Sequence, residues 1–110
     1  MATAYKFAQV QGTAAVGTFA TLYTTPSSTE GIISSIIVCN QAASAMTIRI
    51  GLDSSAGTPG ADEFLVYDAE VAANDTLILS LGLAMAASKY LRVSSSANTC
   101  SFTASVSEIS

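Results

Sequence analysis

The chain has 110 residues, enough for one domain that can bury a core without a metal or a disulfide to hold it. Half of its residues are apolar and only 11% are charged, against about 25% in typical domains; 19 Ala, 16 Ser and 12 Thr take up the difference. Four cations (Lys6, Arg49, Lys89 and Arg92) against eight acids give a net charge of −4, which offers no basic cluster for a nucleic acid and no attraction to an anionic membrane.

A surface this poor in charge suits a protein packed against copies of itself or a partner, because charge keeps free proteins soluble and apart. No apolar run approaches the ~20 residues that span a bilayer; the longest, IISSIIVC, is broken by two serines. The start, MATAYKFAQVQG, lacks the continuous apolar stretch of a secretory signal.

In chain order, Tyr5 to Val10 reads as a short strand and QGTAAVG as an aperiodic stretch with two glycines. Residues 1–17 are therefore expected to form a flexible N-terminal arm ahead of a β-sandwich domain over 18–110. Tyr5, Phe7 and Val10 are candidate interface residues on that arm. Thr18 to Thr24 is the next strand, with Phe19, Thr21 and Tyr23 on one face and Ala20 and Leu22 on the other; Pro26 ends it. Gly31 to Asn40 is apolar on both faces and reads as a central strand covered on both sides. Ala45 to Leu52 alternates, with Met46, Ile48, Ile50 and Leu52 inward and Thr47, Arg49 and Gly51 outward.

DSSAGTPGA is the longest turn-rich stretch, and Asp53, Pro59 and Asp62 are its candidate exposed-loop residues. A strand follows within Asp62 to Val71, and Asn74-Asp75 marks a turn. Leu77, Leu79 and Leu81 then alternate with Ile78 and Ser80, and Gly82 to Ser88 reads as a helical turn or an irregular crossing. Lys89 to Ser95 and Thr99 to Ser107 are the last strands, joined at Ala97-Asn98. The sum is an all-β chain of roughly seven to eight strands without an amphipathic helix, which predicts an antiparallel β-sandwich, jelly-roll or Ig-like.

Chemistry is mostly absent. Without histidine there is no Ser–His or Cys–His pair, and the commonest metal ligand is missing. Cys39 and Cys100 lack C-x-x-C spacing, so zinc is unsupported; two buried thiols are expected, and a disulfide between two strands stays open. Asp62 and Glu63 follow the loop that Asp53 opens, where Ca²⁺ is conceivable, but the spacing matches no calcium motif and solvated charges are the expectation. Asp68 and Glu70 lie two apart, read here as one strand face, yet nothing would raise either pKa for glycoside cleavage. Arg49 and Arg92 sit mid-strand on outward faces, as candidate interface residues or plain solvent-facing arginines. No catalytic, cofactor-binding or metal site is expected.

The ordered string TLYTTP, GIISSIIVCN, ASAMTIRIGL, FLVYDAEVAANDTLILSLGLAMAASKYLRV and SFTASVSEIS resembles a family of small virion structural proteins of tailed bacteriophages, including those of cyanobacteria. The positions that carry the resemblance are Val38-Cys39-Asn40, Thr47 to Ile50, Tyr67-Asp68, Val71 to Thr76, Leu79 to Ala87, Ser101-Phe102 and Ser107-Glu108-Ile109. It covers the chain from about Phe19 onward and departs at Asp53 to Asp62, where family members often carry A-G-x-x-L-A-N-K-H. The resemblance implies a non-enzymatic particle component without cofactors, assembled in the host cytoplasm, whose reducing conditions favour free thiols. Its first form is a capsid decoration or cement protein, with itself (a homo-oligomer such as a trimer) and the major capsid protein as partners, the arm ordering on the shell. The alternative is a tail, baseplate or fibre-associated part, or a host-surface binding module using Asp53 to Ala61 and Ser94 to Asn98. Neither form involves nucleic acid or membrane.

Overall fold

Strand-forming runs separated by turn formers give eight strands in the computed structural model, which describes residues 3–54 and 57–110. They are β1 (Thr3–Gln11), β2 (Ala20–Thr24), β3 (Glu30–Asn40), β4 (Met46–Asp53), β5 (Phe64–Val71), β6 (Thr76–Met85), β7 (Tyr90–Ser95) and β8 (Cys100–Ile109). Two four-stranded antiparallel sheets result: sheet A in the order β1-β8-β3-β6 and sheet B in the order β2-β7-β4-β5. The pairs β1–β8, β2–β7, β3–β6 and β4–β5 join strands equidistant from the middle of the chain. The chain is thus one long hairpin, rolled up, and the added pairs β3–β8 and β4–β7 seal each sheet. This connectivity is the double-sheet jelly roll, so of the two sandwiches expected from sequence the Ig-like one is set aside.

The core lies between the sheets. Ile33, Ile36 and Val38 of β3 and Phe102 and Ala104 of β8 meet Ile48 and Ile50 of β4 and Leu91 and Val93 of β7, all fully buried. Each large side chain so buried contributes roughly 1.5–3 kcal/mol. Leu77, Leu79, Leu81 and Leu83 of β6 pack against this cluster from the sheet edge. Met46, Ile48, Ile50 and Leu52 share the inner face of β4, as their alternation predicts.

Register slips break the alternation in β2, β3 and β5. In β2 the register slips between Thr21 and Tyr23, so Tyr23 turns to the inner face and does not share a face with Thr21. In β3 it slips between Ile33 and Ser35, which keeps Ile33 and Ile36 on one side. In β5 it slips at Asp68, whose φ is +55°. Asp68, as a bulge residue, drops out of the two-residue period, and its carboxylate is taken by Arg49 rather than paired with Glu70. Gly82 to Ser88 is no helical turn: β6 runs through to Met85.

The expected loose arm is largely folded in. Thr3 to Gln11 pairs with β8 over its whole length; Met1 and Ala2 lie outside the described residues. At Gly12 the chain passes close over β7 and β8, where a Cβ would stand 2.1 Å from Cys100 Sγ and 2.5 Å from Ser95 Oγ, so no larger residue fits. Thr13 to Val16 then crosses sheet B, with Ser94 Oγ donating to Val16 O at 2.8 Å and Ser95 Oγ to Thr13 O at 2.9 Å.

The cysteines are both free. Cys100 pairs across the ladder with Asn40, and Cys39 with Ser101. One faces the core and its neighbour the outside, so their sulfurs lie on opposite sides of one sheet and cannot bridge. Cys100 is buried; Cys39 is half-buried on the outer face, which departs from the expectation of two buried thiols.

Candidate functional site

The outer face of sheet A follows from the ladder registers. Its rows are Tyr5–Ser107–Ile32–Ala84, then Phe7–Ser105–Ser35–Ser80, then Gln9–Thr103–Ile37–Ile78, then Gln11–Ser101–Cys39–Thr76. These are aliphatic, aromatic, hydroxyl and amide groups. The one charge among these outward positions is Glu30, where β3 begins. Six large hydrophobic side chains are exposed among the described residues, and four of them are on this face: Tyr5 (82%), Phe7 (70%), Ile78 (63%) and Ile32. Monomeric proteins seldom leave an apolar sheet face of this size open to water. Of the candidate interface residues, Tyr5 and Phe7 belong to this face. Val10 does not: it is partly buried on the inner side, packed against the core.

The outer face of sheet B is the reverse case. Arg49 Nε donates to Asp68 Oδ1 at 2.7 Å, and its guanidinium lies 4.1 Å from the Tyr67 ring centroid. The bulge at Asp68 turns that carboxylate onto the arginine, and the guanidinium's hydrogen bond holds its pKa below the ordinary carboxylate value. Arg92 Nε donates to Asp53 Oδ1 at 3.1 Å and its Nη1 to Thr21 Oγ1, and the guanidinium lies 4.4 Å from the Tyr90 ring centroid. Phe64 bridges Phe19 and Tyr67 with ring centroids 5.8 and 5.0 Å apart. Both arginines are thus paired with carboxylates of their own chain.

The loop after β4 exposes Ser54, Thr58 and Gly60 to Asp62, but two of its three candidate residues are buried. Asp53 is buried, with Oδ2 accepting the Gly57 N–H at 2.8 Å. Pro59 is buried on Gly51, where a Cβ would come within 2.7 Å of the Pro59 ring. Asp62 alone of the three is exposed; Ser55 and Ala56 lie outside the described residues. A depression of about 330 Å³ beside this loop holds Asp53, Asp62, Glu63 and Lys89 in its wall. Among the described residues no three acidic or sulfur groups come together as a metal site. A second depression, about 530 Å³, is lined by amides and hydroxyls of Gln9, Gln11, Gln41, Asn98 and Thr99.

Two polar groups that sequence reasoning passed over tie the roll together. Glu108, buried at the end of β8, accepts the Tyr23 hydroxyl from sheet B and lies 2.9 Å from Lys6 Nζ on β1. The Tyr23 hydrogen bond and then Lys6 hold its carboxyl below the ordinary range, against the opposing effect of burial. Burial, followed by that same contact with Glu108, pushes the Tyr23 hydroxyl well above its usual value. Asn40, buried at the end of β3, donates to Ser44 O, Val71 O and Ala72 O at 3.0–3.2 Å and accepts the Ala42 N–H at 3.0 Å. It braces two turns at once, which gives the Val38-Cys39-Asn40 triplet a physical role.

No family model matches the chain, and no curated protein matches it significantly. Solved structures do. A chain of the infectious bursal disease virus particle superposes with TM-score 0.55 at 11% identity, over 96% of this chain and 30% of that one. A structure of the Gx strain of the same virus gives 0.51 at 10% identity, over 98% and 37%. A pentameric capsid protein isolated from metagenomic phage sequences gives 0.40 at 13% identity, over 93% and 60%, too loose an overlap to carry weight. The chain spans about a third of the length of the first two. At such identities the likeness is one of fold: the jelly roll described above also occurs in chains of viral particles.

Proposed function

We propose that the protein is a non-enzymatic structural component of a virion, a capsid decoration or cement protein that adds to the head shell and stabilises it. The observation that carries this reading is the outer face of sheet A, a sheet surface of hydroxyl, amide and apolar groups with Glu30 as its one charge, which leaves Tyr5, Phe7, Ile32 and Ile78 exposed. The sequence resemblance to phage virion proteins and the viral particles among the fold's neighbours support it. Contacts through that face are made by apolar and hydroxyl groups, so association through it responds weakly to salt. A cement protein stabilises a shell by binding the assembled lattice better than the separate subunits; at a free concentration 100 times Kd this amounts to about 2.7 kcal/mol per site.

The test uses purified particles that carry the chain, separated into heads and tails, with the chain quantified in each and the heads heated. The reading predicts the chain with the heads, and heads lacking it that rupture at lower temperature. The chain in the tail fraction would overturn it in favour of a tail or host-binding part.

A further inference from the structure

We propose that the outer face of sheet A seats a second copy of this chain, related by a two-fold axis that lies between the two faces and runs parallel to the strands. The inference rests on the reading above for its biological setting and names the partner for the face described there.

Sequence and fold disagree at β3 in an informative way. Its run is apolar on both sides, as befits a strand covered twice, yet only the inner side is covered: Ile32 stands exposed on the outer. Something of like character belongs there. A second copy meets the electrostatic requirement, because the face is almost without charge and meets itself without like-charge repulsion. The charges sit elsewhere: Asp68 and Glu70 are on β5, in the far sheet. With sheets packed about 10 Å apart, a four-sheet stack holds the two outer charged faces about 30 Å apart, beyond the ~8–10 Å reach of unscreened charge. Pairing through sheet B would instead bury the Arg49–Asp68 ion pair and Glu70 against their own copies.

Shape selects the axis. The large groups, Tyr5 and Phe7, stand on β1, at one edge of the sheet. At the same levels on β6, at the other edge, are Ala84 and Ser80, with Gly82 between them and open space above it. A two-fold parallel to the strands lays β1 of each copy over β6 of the other. Each aromatic pair then drops onto a strip of small residues, and the serines of the middle strands meet one another. The area is adequate: four strands ~4.8 Å apart and about nine residues long cover roughly 570 Å² per copy, or about 1,100 Å² in total, above the ~1,000 Å² of a specific interface. Pairing leaves exposed Leu65 and Tyr67 of β5 on both outer surfaces, free to grip two neighbouring shell subunits.

Sedimentation velocity on the full chain tests this. The wild type is expected to be a dimer at micromolar concentration, with Cys39 protected from alkylation as concentration rises. Phe7→Asp and Ser80→Arg are each expected to weaken the dimer by at least roughly 30-fold, the loss of an aromatic anchor, while melting cooperatively at the temperature of the wild type diluted to monomer, because both side chains face outward and only the stabilisation due to pairing is lost. An equimolar mixture of the two variants is expected to recover dimers, since one of the two contacts becomes Asp against Arg and the other stays native. A wild type monomeric at millimolar concentration, a trimer, or a mixture that stays monomeric would overturn the proposal. A dimer that is absent from heads would contradict the virion reading and leave the pairing intact; a head-bound chain monomeric in solution would do the reverse.

Discussion

Glu108 is a carboxylate at a place where the chain could have had an aliphatic residue, at the end of an inward row that runs Cys100, Phe102, Ala104, Val106. Its partners come from two other strands, Lys6 on β1 and Tyr23 on β2, so it fastens sheet to sheet near the first turn of the roll. The consequence for pH has a definite sign. A carboxyl held below its usual 4.5 contributes its full stabilisation above that pH, and loses it as pH falls through the lower folded value. A tyrosine held above its usual 10.0 contributes fully below pH 10, and loses its contribution as pH rises toward the folded value. Stability should therefore be flat between the two and fall outside them, as read by urea midpoints across pH. Tyr23→Phe should abolish the alkaline part of the fall and cost about 1–3 kcal/mol at neutral pH, since it leaves a buried carboxylate oxygen unpaired; an unchanged alkaline limb would show that the contact is not formed. None of this was readable from the sequence, because a one-residue bulge moves Tyr23 to the inner face and nothing in TFATLYT announces it.

At the scale of elements, the strands themselves were legible and their connections were not. Alternating Met46, Ile48, Ile50 and Leu52, or Cys100, Phe102, Ala104 and Val106, mark an inner face whatever sheet they join. The segment after β1 and the loop after β4 look like free linkers, because Gly, Ser and Thr dominate them. Both are nevertheless held on sheet B: Ser94 and Ser95 bind the first, and Gly51 and Arg92 receive the second through Pro59 and Asp53. Cover of this kind depends on a neighbour distant in sequence, so local composition misreports it. Arg92→Met should destabilise the domain by about 3–5 kcal/mol in denaturant unfolding, because it strands the buried Asp53 carboxylate; a loss under 1 kcal/mol would mean that this carboxylate is solvated. β1 gives a second check. Removing residues 3–11 strips β8 of its ladder partner and takes Lys6 from Glu108, so the truncated chain should lose cooperative unfolding. An intact melt would restore the picture of a detachable arm.

The whole molecule is a slab of 46 × 25 × 18 Å whose two broad surfaces differ in kind. One is crossed by loops and laced with ion pairs and stacked rings; the other is bare β-sheet carrying Tyr5, Phe7, Ile32 and Ile78. The low charge of the sequence suggests a protein packed against neighbours, and the doubly apolar GIISSIIV run reads as a strand covered on both sides, whereas its outer side is open. Sequence could not say which side of that run would be the core and which the uncovered face. That was decided by the roll, which faces one side of β3 toward sheet B and leaves the other uncovered.

Electron cryo-microscopy of particles that carry this chain, at a resolution that orients its sheets, bears on both levels of the account together. The expected density is on the head surface, in pairs, with sheet A against sheet A and the loop-covered face of sheet B turned outward from each pair. Density in the tail, or head density in which Tyr5 and Phe7 face open solvent, would contradict it.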